Sequence, residues 1–347
     1  MVPSSARRPP QSARVPSTLA EDAVAALLGL WPVVGLFLDG WAHHTRPELE
    51  SFFTPWHAVL YSGAAANTAW LAVLVARRRK SGRSLREAVP PGYGLAVVGG
   101  LGFGLAGLAD MAWHTIFGIE VDLEALLSPS HLLLLASGLL ALTAPLRAAL
   151  LRADSGERDA TALLPAVASL TAAVAIVAFF FHYLSPFHEV AAATRQRGGH
   201  DAGAGLASIF VTNGILVAPL ILLVKGFGSA PRAGATILFT TVAALLLLES
   251  DFAFPAAVGA ALAAGIAVDA LFALIRPNLL DPGRVWLAAA LAPVLLWGAY
   301  FLAVAVARGV AWSPELWTGA IAMSSLMGLG MGYLAVSGRR PGPQPPL

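Results

Sequence analysis

Long apolar stretches separated by short polar ones make up most of this chain. Ten of them approach the length of about 20 mainly apolar residues that a helix needs to cross a membrane. They lie near residues 23–38, 56–75, 93–116, 130–150, 163–183, 206–223, 235–248, 254–275, 285–306 and 316–336. The pattern therefore predicts an all-α fold, a polytopic integral membrane bundle of about ten transmembrane helices.

The composition supports the same class of protein. Of the 347 residues, 57% are hydrophobic and 12% are charged, and the mean hydropathy is +0.72. Soluble domains carry about 25% charged residues, so we expect a multi-pass protein of the cell membrane with the lipid bilayer as its main partner. The net charge of +2 is small and the arginines lie in short scattered clusters, which argues against binding to nucleic acid.

The two ends of the chain differ from its middle. Residues 1–20 are rich in Pro, Ser and Arg, and residues 338–347 are rich in Pro, so both are predicted to be disordered tails. Between them, residues 21–337 form a single predicted transmembrane domain. Its first part, residues 21–151, contains the two motifs described below, and residues 160–337 add further helices.

The positive charges predict an orientation in the membrane. If alternate loops face opposite sides, 18 of the 22 Lys and Arg residues fall on one side. By the positive-inside rule that side is cytoplasmic, and both termini lie there. The eight histidines then all lie at the outer ends of spans or in outer loops: His43, His44, His57, His114, His131, His182, His188 and His200. Any chemistry is therefore expected near the extracytoplasmic face.

Two similar polar motifs interrupt the apolar pattern. The first runs from Asp39 to His57 and reads DGWAHHTRPELESFFTPWH; the second runs from Asp110 to His131 and reads DMAWHTIFGIEVDLEALLSPSH. Each motif places an Asp four residues before a His. Each then closes with a hydroxyl residue, a Pro, one further residue and a second His. A repeated set of polar residues inside an apolar chain indicates shared chemistry.

Helix geometry predicts what each motif builds. Residues four apart share one face of a helix, so the Asp and the first His of each motif would point in one direction. The hydroxyl residue before each Pro occupies an N-cap position, which puts the closing His in the first turn of the next span. Two imidazoles and one carboxylate are typical of a mononuclear site for copper, iron or zinc, and the chain has no cysteine to compete. The predicted ligands are Asp39, His43 and His57 for one metal ion and Asp110, His114 and His131 for a second.

Both motifs resemble the copper-site segment of the C subunit of the particulate methane and ammonia monooxygenases, which reads D-x2-W-H, a spacer, and then F-T-P-S-H. The shared residues are Asp39, His43, Phe53, Thr54, Pro55 and His57 in the first motif, and Asp110, Trp113, His114, Ser128, Pro129, Ser130 and His131 in the second. The resemblance covers roughly residues 35–138. It implies bound copper, and it implies oxidation of a small apolar substrate by dioxygen if the chain belongs to an oxygenase. Its implied partners are further membrane subunits; a homo-oligomer is the alternative.

Two other interpretations remain open at this point. The same residues would suit a non-enzymatic transporter, metal-handling protein or sensor whose outer His and Asp residues bind metal ions or protons. They would also suit a polar network at the membrane interface that has only a structural role.

Further polar residues near the outer face have no assigned role. A third S-P-x-H sequence ends at His188 and follows His182, but no Asp stands at the matching place. Four other residues are interpreted as parts of solvated loops or of a helix start: His200, Asp201, Glu249 and Asp251. Asp269 lies inside a predicted span, where carboxylates are usually paired or functional; Arg276, two turns away, is a candidate partner, and the role of Asp269 is left unassigned.

Overall fold

The computed structural model describes residues 14–46, 52–118, 122–154, 163–193, 199–229 and 231–337. The regular structure in these ranges is helical, apart from one isolated β-bridge between Asn278 and Asp281. The α-helices are α1 (Leu19–Thr45), α2 (Pro55–Lys80), α3 (Leu85–Ala88), α4 (Gly94–Phe117), α5 (Asp122–Leu127), α6 (Pro129–Leu142), α7 (Ala144–Asp154), α8 (Leu164–Phe180), α9 (Gly199–Phe227), α10 (Gly234–Glu249), α11 (Ala256–Ile275), α12 (Pro282–Ala307) and α13 (Pro314–Ser337). The predicted all-α fold is confirmed. The predicted tails lie mostly outside the described residues.

Eight helical segments of the described chain are long and apolar enough to cross a membrane. They are α1, α2, α4, α9, α11, α12, α13 and the nearly continuous pair of α6 and α7. Helices α8 and α10 are also apolar but shorter, with 17 and 16 residues. They correspond to the predicted spans 163–183 and 235–248, the first of which ends three residues earlier than predicted, at Phe180. A multi-pass helical membrane protein is thus confirmed, whereas the count of ten spans and the orientation of the termini stay predictions.

Glycines allow the first four long helices to pack as two close hairpins, α1 with α2 and α4 with α6. A Cβ atom on Gly35 would lie 2.6 Å from the backbone nitrogen of Leu60. A Cβ atom on Gly99 would likewise lie 2.6 Å from the backbone nitrogen of Ala141. Only a residue without a side chain permits such an approach, as is common between helices in lipid. The close packing brings together the helix ends that carry the two motifs.

Buried polar contacts join the helices of the second half. Helix α8 is buried along most of its length and packs against α1, α7 and α10. Trp297 of α12 is fully buried, and its indole Nε1 donates a 3.1 Å hydrogen bond to Oδ1 of Asn213 in α9. The amide of Asn213 donates in turn to the backbone oxygen of Ser324 in α13, at 3.3 Å. These bonds satisfy groups that have no access to water.

An ion pair stabilises the end of α1 that lies away from the first motif. Asp22 is fully buried and accepts a 2.7 Å hydrogen bond from the hydroxyl of Tyr93, the N-cap of α4. It also accepts from the guanidinium of Arg152 in α7, which donates to the backbone oxygen of Ser17 at 3.1 Å. Seventeen residues of α1, about 25 Å along the helix axis, separate this ion pair from Asp39.

The carboxylate inside α11 has a structural partner. Asp269 accepts hydrogen bonds from the backbone nitrogens of Ala235 and Thr236, both at 3.0 Å, and from the hydroxyl of Thr236 at 2.6 Å. It therefore caps the N-terminus of α10, where the helix dipole favours a negative charge. This cap takes the place of the candidate partner Arg276, because the first turn of α10 offers N–H groups directly beside the carboxylate.

Candidate metal centre

The end of α1 and the start of α2 build the first cluster, which consists of Asp39, His43 and His57. Helix α1 continues through Gly40 to Thr45, so Asp39 and His43 lie one turn apart, as the sequence predicts. Nε2 of His57 lies 3.2 Å from Oδ2 of Asp39, and Nε2 of His43 lies 3.7 Å from the same oxygen. One ligand atom of each residue lies within 4.8 Å of the other two. The three groups therefore converge on one point.

The end of α4 and the start of α6 build the second cluster, which consists of Asp110, His114 and His131. Nε2 of His131 lies 3.1 Å from Oδ1 of Asp110, and Nε2 of His114 lies 3.6 Å from it. Their ligand atoms also lie within 4.8 Å of one another. The second hairpin thus repeats the arrangement of the first, although the linking sequences differ in length.

The helix caps explain why a hydroxyl residue and Pro precede the second His of each motif. Thr54 caps α2, and its hydroxyl accepts a 3.1 Å hydrogen bond from the backbone nitrogen of His57. Ser128 caps α6 and accepts from the backbone nitrogen of His131 at 3.3 Å. An N-cap side chain bonds the N–H two or three residues later, and in both helices that residue is the His. The predicted N-caps and first-turn histidines are confirmed.

Backbone carbonyls set the orientation of one imidazole in each cluster. Nδ1 of His57 lies 2.7 Å from the oxygen of Phe52, and Nδ1 of His114 lies 3.3 Å from the oxygen of Gly118. A carbonyl oxygen only accepts, so the proton of each neutral ring must be on Nδ1. The lone pair of Nε2 then points toward the carboxylate. Metal-binding histidines are commonly held in this way by a backbone oxygen.

The carboxylates of these clusters are buried, and that of Asp39 is incompletely paired. Asp39 is 8% exposed and Asp110 is 1% exposed. Oδ1 of Asp39 has no hydrogen-bond partner among the described residues, whereas Oδ1 of Asp110 lies 3.1 Å from Nε2 of His131. A buried carboxylate oxygen without a partner is costly, and a bound cation would satisfy it. Two imidazole nitrogens and one carboxylate also form a donor set suited to copper, zinc or iron, so the residues fit the metal that the sequence predicts.

The two clusters are neighbours. The rings of His57 and His114 have centroids 6.3 Å apart, and Phe52 lies beside both, at 4.8 Å from His57 and 6.2 Å from His114. Each cluster nevertheless keeps its own carboxylate between its own two imidazoles. The two motifs therefore form two adjacent clusters, each with its own carboxylate.

A third cluster consists of His182, His188 and Glu249, and the sequence interpretation missed it. Glu249 is the last residue of α10 and is 2% exposed. Its Oε2 lies 2.7 Å from Nε2 of His188, and its Oε1 lies 3.7 Å from Nε2 of His182. The interpretation of Glu249 as a solvated helix start is therefore wrong, because the packing of α10 against α8 buries it between two imidazoles.

The third S-P-x-H sequence forms a turn and starts no helix. The hydroxyl of Ser185 accepts from the backbone nitrogen of Phe187 at 3.3 Å, and its carbonyl accepts from that of His188 at 3.1 Å. His182 lies just beyond the last residue of α8, and its Nδ1 lies 2.8 Å from the oxygen of Phe179. The only sequence signal for this cluster was the third S-P-x-H sequence, which contains His188 and gives no indication of Glu249.

One cavity of about 560 Å³ connects the three clusters. Every cluster residue except His188 lines it, together with His44. Most of the remaining wall is apolar and includes Leu36, Leu60, Phe103, Leu134, Leu135 and Phe179. The polar cluster residues thus face a space whose remaining wall is mostly apolar, as in small-molecule sites generally.

The other outer polar residues lie outside these clusters. Asp251 is exposed, and its carboxylate accepts a 3.0 Å hydrogen bond from the indole of Trp41, which joins the end of α10 to α1. The backbone of His200 and Asp201 forms the start of α9, and their side chains lie outside the described residues. His44 packs its ring edge against His188, with centroids 6.1 Å apart.

Tyr61 links the two hairpins and leads to a testable prediction. Its hydroxyl, one turn after His57 on α2, donates a 3.0 Å hydrogen bond to Oδ2 of Asp110. Removing such an outer partner typically weakens metal binding about 10- to 100-fold. We expect Tyr61→Phe to weaken metal binding at the second cluster by that factor and to leave the first unchanged, as measured by competition titration with a metal-sensitive dye. Tyr183→Phe, on the same cavity wall, is the matched control; an equal loss in that variant would contradict the assignment.

The fold and the clusters together define a class: a multi-pass helical membrane protein with three groups of two His and one carboxylate able to hold metal ions. No protein-family model, curated protein or solved structure matches this chain.

Proposed function

We propose that this protein binds transition metal ions in the cell membrane and that copper occupies the first and second clusters. Each cluster would hold one ion through two Nε2 atoms and one carboxylate, with further coordination positions left for water or a substrate. The choice of copper rests on the resemblance of both motifs to the copper-site segment of the monooxygenase C subunits. Iron and zinc suit the same donor atoms and are the alternatives to test.

One observation supports metal binding more strongly than a purely structural role. Two separate helical hairpins bring an Asp and two His to the same arrangement, with Nε2-to-carboxylate distances of 3.2 and 3.7 Å in one and 3.1 and 3.6 Å in the other. A structural polar network at a membrane interface has no need to repeat such distances, whereas ion coordination does.

The walls of the cavity favour a small apolar substrate. Helix α4 exposes Leu101, Leu105 and Leu108, each more than 60% exposed, on the surface that would face lipid. Phe103 on the same helix lines the cavity. An apolar molecule dissolved in the bilayer would therefore reach the cavity without crossing a polar layer. The apolar wall would also keep bulk water from the clusters.

We further propose that the protein, alone or with partner subunits, oxidises such a substrate. Bound copper would supply dioxygen activation, so that one oxygen atom enters a C–H bond and the other leaves as water, with two electrons and two protons from an external reductant. The carboxylates would hold the imidazoles apart in the geometry described, and Tyr61 would fix the orientation of Asp110. On the predicted orientation, the clusters lie near the extracytoplasmic face.

The second candidate is a metal-handling or transport protein. Three clusters of two His and one carboxylate lie at a single cavity, and this observation favours the second candidate. Adjacent sites of this kind would allow a metal ion to pass from one to the next. A carrier of this kind would bind the same metals and would not consume dioxygen.

Metal analysis tests the proposal directly. We expect protein purified without a histidine tag and reconstituted in lipid discs to bind about two copper ions at the first two clusters. Electron paramagnetic resonance of the Cu²⁺ form should show nitrogen coupling from imidazole. If copper, iron and zinc all fail to bind after reconstitution, the proposal is wrong. Uptake of dioxygen that depends on a small alkane and a reductant would distinguish the oxygenase from the carrier.

A further inference from the structure

The third cluster is built from different elements than the first two. His182 belongs to a 3-10 turn after α8, His188 to the Ser-Pro turn, and Glu249 to the last turn of α10. The three ligand atoms lie within 4.8 Å of one another, as in the other clusters. The arrangement therefore does not follow from the hairpin motif, and it arises independently at the same cavity.

The contacts inside this cluster gather its donor atoms around a buried carboxylate. Nδ1 of His182 faces a backbone oxygen at 2.8 Å, so the lone pair of its Nε2 points toward Glu249. Oε2 of Glu249 lies 2.7 Å from Nε2 of His188, and its Oε1 lies 3.7 Å from Nε2 of His182. The carboxylate and the two ring nitrogens therefore converge, and a cation bound among them would be coordinated by all three.

We infer that His182, His188 and Glu249 form a third metal-binding site, which takes a divalent transition metal ion such as Cu²⁺ or Zn²⁺. Two imidazole nitrogens and one glutamate oxygen suit these ions and disfavour Ca²⁺ and Mg²⁺, which prefer oxygen alone. His182 and Glu249 line the cavity, so one side of the ion would face it.

Helix α1 connects this site to the first cluster. A Cβ atom on Gly40, the residue after Asp39, would lie 2.6 Å from the ring of Phe179 and 3.5 Å from Cγ of Glu249. His44, the residue after His43, contacts His188. Glycine at position 40 therefore lets the end of α1 pack directly against the third site. Both sites therefore contact the end of α1, but they have no ligand in common.

The test isolates the third site from the other two. In a chain that carries Asp39→Ala and Asp110→Ala, purified without a histidine tag, we expect about one Cu²⁺ to remain bound per chain at pH 7, with imidazole nitrogen coupling in the paramagnetic resonance spectrum. Adding His188→Ala, or separately Glu249→Gln, should weaken this binding more than 10-fold, since each removes a direct ligand. His188→Ala changes a partly exposed side chain and keeps the test interpretable if Glu249→Gln fails to fold.

Glu189→Gln is the matched control, because Glu189 is an exposed carboxylate beside His188 in the chain. It should leave the Cu²⁺ affinity unchanged. The inference is wrong if the folded double variant binds no Cu²⁺ or Zn²⁺, or if both His188→Ala and Glu249→Gln bind Cu²⁺ as before. The outcome is separate from that of the first two clusters, whose carboxylates are absent from this background.

Discussion

Replacing Asp110 by alanine should remove about one equivalent of bound copper from the reconstituted protein, and Asp39→Ala should remove a different equivalent. Each carboxylate is the group that both imidazoles of its cluster face. Loss of a direct ligand should exceed the 10- to 100-fold weakening that follows from loss of an outer partner, so about 100-fold or more is expected. Copper content by mass spectrometry and titration of the metal-free protein measure the change.

His44→Ala is the control for both variants. His44 lies on the same cavity, next to His43 in the chain, and belongs to neither of the two clusters. Circular dichroism and thermal unfolding would show that each variant keeps its helices. If either single variant loses both equivalents, the clusters hold their ions jointly and the assignment of two adjacent sites is wrong. Retention of both equivalents in Asp110→Ala would rule out the second cluster as a metal site.

The first two clusters were predictable because their geometry is local. A spacing of four residues within a helix puts Asp39 above His43, whatever the rest of the fold does. A hydroxyl N-cap followed by Pro places the His at the third helical position. The one long-range step, the meeting of the two ends of each hairpin, follows because long helices that are neighbours along the chain usually pack against each other.

The third cluster was beyond sequence reasoning because its decisive contact is long-range. Glu249 stands at the end of α10, and it reaches His182 and His188 only because α8 and α10 pack side by side. Neither a fixed spacing nor a shared helix connects these residues. The same limit applies to Asp269, whose partner is the N-terminus of a neighbouring helix and not a charged side chain.

Two buried aspartates on α1 show how the partner of a carboxylate indicates its role. Asp22 is paired with Arg152, whose guanidinium stays charged, and with Tyr93. Asp39 faces imidazoles alone and keeps one oxygen without a hydrogen bond among the described residues. A permanent cation completes a structural ion pair. Neutral imidazoles supply no such cation, and in the proposed function a bound metal ion would supply it.

Arg152→Ala should lower the free energy of unfolding by about 3 kcal/mol, because it leaves the buried charge of Asp22 without its cation. The change is measured by unfolding the protein in mixed micelles with increasing concentrations of a denaturing detergent and following the helix content by circular dichroism. The matched control is Arg284→Ala, which removes an exposed pair with Asp281 in which both side chains are about half exposed. Loss of that pair should cost about 1 kcal/mol or less.

The same variant also tests the separation of structural and metal-binding charges along α1. Arg152 lies at the opposite end of the helix from the first cluster, so the folded fraction of Arg152→Ala should keep the copper content of the unchanged protein. If Arg152→Ala lowers the free energy of unfolding no more than Arg284→Ala does, the hydrogen bond from Tyr93 alone is sufficient to stabilise the buried Asp22. A loss of copper without a loss of stability would show that the two ends of α1 are coupled, and that the partner of a buried aspartate does not identify its role.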